Sequence, residues 1–484
     1  MANRREIRGR RGFVLLLFAM SSVSILGIVG LTIDLTMLYL IKAKLSSAVD
    51  AGALAGARSL ARGVSLSAQA ASASATSKAY FRANFPSGYL LTSSSPDPSV
   101  AVEEFVAQRY RTVTLTAQAD APTFFMRIVG PTYATVRAMG RAARRDTNVI
   151  LVMDRTGSLG SACGQLRAAA NSFVDKFAQG SDKVGLVTYA RASSIDYPMT
   201  DTFLTGSPNI KTIISSIQCE GWTGAAQGIS LGYQDLQRIN EEGALNVILF
   251  FTDGIPNTLH ANWPIRNSST CEKKGQTVPG VMAEDRRGLF TPDAIPYPDY
   301  PRDPSNSTGG DVQCSGTRCY LTPAYDSGGE PLALGCRFRT VNSPNWSDHV
   351  QYDVQGVPLT DVYGNSTRGW RSMPSLFNCD NGQQCMSVTT TSVRNGGANA
   401  LLSAGDRIRS DTYLDPTIFA IGLGTPASYS HELLRRVAND PLAATYASNS
   451  ASGQAAGLYV FAPTGADLAA AFARVASEVL RLAL

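Results

Sequence analysis

Histidine and the metal-binding patterns of cysteine are nearly absent from this chain. Three histidines, His260, His349 and His431, are spread over 484 residues, and none of the eight cysteines stands in a Cys-x-x-Cys pair. A zinc site of the usual spacing gains no support from either fact. No glycine-rich phosphate loop precedes a helix and no nucleophile–base pair stands out, so an enzyme is not expected. An excess of one charge is also missing. The 43 Lys and Arg against 38 Asp and Glu leave +5 at pH 7, too little over this length to argue for nucleic acid as a partner. What remains is 44% hydrophobic and 17% charged, a globular composition long enough for two or more domains.

The basic residues cluster at the start, where Arg4, Arg5, Arg8, Arg10 and Arg11 face a single Glu6. Gly12 to Ile33 then carries no charge and is rich in Leu, Val, Ile and Phe. That length spans a bilayer, and the arginines before it predict a cytoplasmic amino terminus. A cleaved signal peptide is the alternative, but its apolar region is shorter and ends at a small-residue cleavage site. Here the helical pattern runs on through Asp34, Tyr39, Ile41 and Lys44, with no Pro or Gly to break it. A retained anchor is expected over residues 1–34. All eight cysteines lie beyond residue 160, on the side this orientation puts outside, where disulfides form. Their pairing stays open.

Residues 35–146 read as a helical stalk and a small α+β domain. Ala48, Gly52 and Gly56 recur at spacing four in Ser46–Arg62, small residues that let a helix lie close to another surface. A Ser/Ala-rich stretch runs to about Lys78, and Pro86, Pro96 and Pro98 break the chain into turns. Val100–Phe105, Tyr110–Ala117 and Tyr133–Ala143 are expected strands. In the second, Val113 and Leu115 alternate with Thr112, Thr114 and Thr116. A short helix is expected over Pro122–Val129, and Arg144, Arg145 and Asp146 form a polar boundary.

The next stretch is the most informative. Asn148 leads into Val149, Ile150, Leu151, Val152 and Met153, then Asp154, Arg155, Thr156, Gly157, Ser158 and Leu159. The apolar run fits a strand buried on both faces of a parallel sheet. Asp154, Thr156 and Ser158 then alternate in a turn at its carboxyl end, where open α/β sheets bind ligands. Oxygen ligands alone suit a hard cation such as Mg²⁺. On this stretch by itself, a turn capping the next helix is an equal alternative. Further on, a helix with Leu166, Ala170, Phe173, Val174 and Phe177 on one face is followed by a strand at Val184–Tyr189. A helix at Ala225–Ile239 and a strand at Leu245–Phe251 come next, the strand closed by Thr252-Asp253-Gly254. This alternation predicts an α/β fold, a parallel sheet flanked by helices.

From about Pro256 to Arg394 the periodicity disappears. The segment holds thirteen of the 24 prolines and six of the eight cysteines: Cys271, Cys314, Cys319, Cys336, Cys379 and Cys385. A disulfide-rich insertion over 260–394 is expected, splitting a domain whose parts are 147–259 and 395–484. Asp293, Asp299, Asp303 and Asp311 raise calcium as a thought, but without ligand spacing they read as a solvated acidic loop. Asn267, Asn306, Asn345 and Asn365 begin chance Asn-x-Ser/Thr triplets. A helix at Asn399–Ser410, strands at Thr417–Ile421 and Leu458–Phe461, and a closing amphipathic helix on Leu468, Phe472, Val475, Val479 and Leu482 resume the pattern.

Two resemblances follow from these residues. Arg11-Gly12, Gly30-Leu31-Thr32-Ile33-Asp34 and Ala48 to Ala57 (AVDAGALAGA) resemble the TadE/TadG-like proteins of tight-adherence (Flp) pilus assembly. Related pseudopilins are cut after a glycine and carry Glu at the fifth mature position. Here that position is Leu17, so the resemblance implies a permanent anchor. Asp154, Thr156 and Ser158, then Thr223, then Asp253, resemble the metal-ion-dependent adhesion site of a von Willebrand factor type A (VWA) domain, with Thr156 in place of the first Ser. That resemblance implies a Rossmann-like fold and Mg²⁺ (or Mn²⁺ or Ca²⁺). Hydroxyls would bind the cation, aspartates would hold its waters, and a protein partner's Asp or Glu would complete the shell. A bridge between Cys163 and Cys219 would brace that site. The implied function is a cation-dependent binding component of a Flp/Tad pilus or adhesion apparatus. It would sit in a bacterial inner membrane with its bulk outside, among other pilus-assembly components. The alternative is a structural, pseudopilin-like component whose VWA domain is a spacer.

Overall fold

The computed structural model describes the chain except residues 1–5, 64, 94–96, 129, 192, 220, 268–274, 285–288, 291–311, 316–317, 322–337, 342–350, 353 and 426–429. Asp293, Asp299, Asp303, Asp311, Asn306, Asn345, Cys271 and Cys336 therefore lie outside the described residues. The chain divides between Arg145 and Asp146 into two compact units.

The first unit is built on one helix, α1 (Glu6–Ser59). It is long and apolar enough to cross a membrane. Its apolar side chains are exposed from Phe13 to Ile33, whereas Ile41, Leu45, Ala48, Val49, Ala53 and Ala57 are buried. The second helix, α2 (Leu66–Asn84), starts at Ser65, whose hydroxyl accepts the Ala68 N–H. The Ser/Ala-rich stretch is thus helical. Its buried stripe of Gln69, Ala73, Ser77 and Phe81 lies at spacing four but offers little hydrophobic contrast to a reader of the sequence. Strands β1 (Ser99–Phe105), β2 (Tyr110–Pro122) and β3 (Tyr133–Arg145) form an antiparallel sheet in that order.

Small residues set the closeness of helix and sheet. A Cβ on Gly52 would come 2.5 Å from Leu115 Cδ2 and 3.0 Å from the Ser77 carbonyl, and one on Gly140 would come 2.7 Å from the Val49 backbone. The helix expected over Pro122–Val129 is corrected. Strand β2 continues through Pro122, and only a single 3₁₀ turn, Met126–Ile128, follows. The buried Asp34 carboxylate on α1 accepts the N–H groups of Phe124 (2.9 Å), Phe125 (2.9 Å) and Met126 (2.6 Å), which fixes the chain as a turn.

The second unit opens with β4 (Thr147–Asp154), α3 (Ala162–Val174), β5 (Lys183–Tyr189), β6 (Ser193–Thr200), α4 (Ile210–Ser216), α5 (Ala225–Ile239) and β7 (Leu245–Thr252). The insertion is richer in strands than the sequence suggested: β8 (Thr258–Pro264), β9 (Thr277–Ala283), β10 (Leu289–Phe290), β11 (Val312–Ser315), β12 (Arg318–Leu321), β13 (Phe338–Val341), β14 (Gln351–Tyr352), β15 (Val357–Pro358), β16 (Leu376–Asn378) and β17 (Gln384–Met386). The chain then returns through α6 (Thr390–Arg409), β18 (Thr417–Leu423), α7 (His431–Ala438), α8 (Tyr446–Ala451), β19 (Leu458–Ala462) and α9 (Leu468–Leu482).

The central sheet has the order β19-β18-β7-β4-β5-β6. Five strands are parallel, as expected, but β6 pairs antiparallel with β5 and makes the sheet mixed. Only residues 190–192 join these two strands, too few for a parallel crossover. Pro198 is tolerated because β6 is an edge. Side chains alternate between two cores. Ile150, Val152, Ile248 and Phe250 face α5, α6 and α7, and Val149, Leu151, Met153, Val247, Leu249 and Phe251 face α3 and α9. Leu259, Ala261 and Trp263 of β8, with Val357 and Met386, join the first of these cores. These parts of the insertion are therefore packed onto the domain.

Candidate cation site

Parallel order places the ends of β4 and β7 side by side, with Met153 opposite Phe251. Asp154 ends β4 with no exposure, and Asp253 follows β7 at 7% exposure. Asp154 accepts the Thr156 N–H at 2.9 Å through one oxygen and the Thr252 hydroxyl at 2.7 Å through the other. Asp253 accepts the hydroxyls of Ser158 (2.8 Å) and Thr156 (3.2 Å), which are themselves 3.0 Å apart. Ser158 is exposed, so the cluster opens to solvent on its side.

Thr223 lies in the loop entering α5. A Cβ on Gly254 would come 3.6 Å from its hydroxyl, which places it beside the Asp253-Gly254 turn. Its backbone is clasped by Asn257, whose side-chain oxygen accepts the Thr223 N–H at 2.6 Å while the Asn257 N–H donates to the Thr223 carbonyl at 3.0 Å. The two loops touch where the Gly157 N–H donates to the Gly221 carbonyl at 3.2 Å. They are also joined covalently. A disulfide links Cys163, in the first turn of α3, to Cys219, with Cα atoms 6.1 Å apart. A second bridge joins Cys379 to Cys385.

The structure thus gathers Asp154, Thr156, Ser158 and Asp253 into one hydrogen-bonded group with Thr223 at its edge. Thr252 and Asn257 were missed by sequence reasoning. Thr252 sat in the strand-closing Thr252-Asp253-Gly254 and was legible as a hydroxyl beside Asp154. Asn257 carries no sequence signal, since its role comes from the fold alone.

The electrostatics fit a cation. Burial raises the pKa of Asp154, and the charge of Asp253 raises it further; Asp253 is also raised by burial. Among the described residues neither carboxylate pairs with Lys or Arg. Tyr189, buried behind Asp154, donates its hydroxyl to the Phe251 carbonyl at 2.7 Å, and burial holds its pKa well above the ordinary value. Among the described residues no group of three or more His, Cys, Asp or Glu side chains is placed to hold a metal, and this cluster has two carboxylates with hydroxyls beside them. Two buried carboxylates and three hydroxyls, all oxygen, are donors of the kind that would suit a hard divalent cation keeping some of its waters.

This sheet defines the class. A family profile for the von Willebrand factor type A domain matches residues 149–255. The chain carries a VWA domain, an α/β fold with a mixed sheet. Ahead of it, residues 12–59 match the Flp pilus-assembly TadE/G-like family. No curated protein matches the chain.

Solved structures similar to it include the pilus adhesin SpaC from Lactobacillus rhamnosus GG, 12% identical with a TM-score of 0.35 over 80% of this chain and 35% of that one. The chain thus spans about a third of that adhesin. The PilB minor pilin from Streptococcus sanguinis is 14% identical, with a TM-score of 0.35 over 81% of each chain. The vWF domain of the type V pili tip protein Mfa5 from Porphyromonas gingivalis is 16% identical, with a TM-score of 0.35 over 71% of this chain and 98% of that one.

Proposed function

We propose that this chain is a membrane-anchored, cation-dependent protein-binding component of a Flp/Tad-type pilus assembly or adhesion apparatus. The observation that carries the reading is the convergence of Asp154, Thr156, Ser158, Thr223 and Asp253 at adjoining strand ends, without, among the described residues, a basic side chain paired to either carboxylate. These residues would hold Mg²⁺, which when bound would supply positive charge for a carboxylate oxygen of another protein. The chain's own groups do the positioning. Thr252 holds Asp154, Asn257 holds Thr223, and the Cys163–Cys219 bridge ties the two loops. The partner offers an Asp or Glu and belongs to the same apparatus. The apolar half of α1 supports a single inner-membrane span, with the arginine-rich end cytoplasmic and the VWA domain outside.

The test is capture of pilus components by the full chain in Mg²⁺ and in EDTA, with Asp154→Ala alongside. Cation dependence lost in the variant supports the reading. Capture indifferent to both EDTA and the substitution refutes it and leaves the domain as a spacer.

A further inference from the structure

The hairpin tip between β2 and β3 carries Phe124, Phe125, Met126, Arg127 and Ile128, with Phe124 39%, Phe125 43% and Ile128 77% exposed. An exposed apolar tip in water is costly, yet this one is tied to α1. Three of its N–H groups are taken by Asp34 of α1, and Phe125 lies so close to Gly30 that a Cβ there would meet its ring at 2.5 Å. The position along α1 is the informative point. At about 1.5 Å per residue, Phe13–Ile33 covers about 30 Å, the hydrocarbon thickness of a bilayer. Gly30 lies three residues inside its outer end, so the tip abuts the helix about 4–5 Å below that edge. Tyr39 and Tyr133, both exposed, lie on the two elements just outside it, as aromatic side chains do at an interface.

We infer that the Phe124–Ile128 tip is a second lipid contact, docked on α1 by Asp34 and Gly30 and inserted into the outer edge of the bilayer. The inference rests on the reading of α1 as a membrane span. Its apolar side chains continue the exposed apolar surface of α1, which makes lipid the occupant. Asp34 lets the tip enter by satisfying backbone N–H groups that lipid cannot. Arg127 extends its guanidinium to the phosphates. The device fixes the height and tilt of α1, which a single span leaves free.

The full chain, reconstituted in phosphatidylcholine vesicles containing a lipid with a diazirine-bearing acyl tail, is irradiated and its adducts mapped by mass spectrometry. Adducts in both 13–33 and 124–128 are expected. In the Phe124→Ser/Ile128→Ser variant, which keeps Phe125 and the Asp34 contacts, the second set should be lost and the first retained. Adducts in α1 alone, in the unaltered chain, overturn the inference and leave the anchor standing. Adducts in neither overturn both. Tip adducts that persist in the variant overturn the role given to these two side chains.

Discussion

Replacing both members of each disulfide by alanine compares two bridges within one domain. Cys163–Cys219 closes a loop of 56 residues and Cys379–Cys385 one of 6. Cross-linking restricts the unfolded chain by an amount that grows with the logarithm of the loop. On that account the first bridge stabilises by about 4 kcal/mol and the second by about 2. The difference of about 2 kcal/mol, (3/2)RT ln(56/6), does not depend on the constant in the relation. Denaturant midpoints and slopes for the full chain and the two double-alanine variants give both values, with Trp222 beside Thr223 as a nearby fluorescent reporter. The ranking should hold, with the slope rising more when the longer loop is released, because the unfolded chain then exposes more surface. A second consequence is local. Because Cys163 and Cys219 sit on the two loops that meet at Gly157 and Gly221, their loss should also weaken Mg²⁺ binding, and loss of the other pair should not. A Cys379/Cys385 variant as destabilised as the Cys163/Cys219 variant, with equal effects on Mg²⁺, would refute the reasoning.

Three further outcomes are expected. Asp154 has its folded-state pKa raised, so the folded cation-free protein binds a proton more tightly than the unfolded chain does. Stability should therefore fall as pH rises from the ordinary carboxylate value through the raised one. Melting curves in EDTA should show this slope, and Mg²⁺ at about 100 times its Kd should remove it while adding about 2.7 kcal/mol; Asp253→Asn should lose the Mg²⁺ gain and keep a shallower slope, because burial of Asp154 remains when the charge of Asp253 is gone. His260 is half-buried against Tyr363, and burial lowers its pKa from 6.5 to about 4. It contributes up to about 3 kcal/mol of stability above pH 6.5, lost as pH falls towards 4, and His260→Leu should flatten that limb of the melting profile. Gly140→Val should cost about 1–3 kcal/mol or more, because its Cβ meets the Val49 and Asp50 backbone, whereas Gly27→Ala meets nothing within 4 Å; limited proteolysis of the first unit reads the contrast.

Much of the second unit was legible because β4 and β7 are buried on both faces and read as unbroken apolar runs. The donors Asp154 and Asp253 could be found because each directly follows such a run. Edge and insertion strands were hidden for opposite reasons. In β6, Ser193, Ser194, Asp196 and Pro198 mask a strand that only its short link to β5 dictates. In β8, the buried Leu259, Ala261 and Trp263 do alternate, but surrounding prolines drew attention away from the period. The clasp of Thr223 by Asn257 and of the hairpin tip by Asp34 joins residues 34 and about 90 positions apart. No local pattern encodes such contacts.

The register of the central sheet also carries a schedule. Val247 of β7 pairs with Thr417 of β18, some 170 residues later in the chain. At roughly 5–20 residues per second of synthesis, one edge of β7 waits on the order of 10–30 s for its neighbour. During that interval an apolar strand has one row of unpaired backbone groups open to any passing strand. Emergence of β18, and not formation of the donor cluster, is then the step that closes this edge of β7.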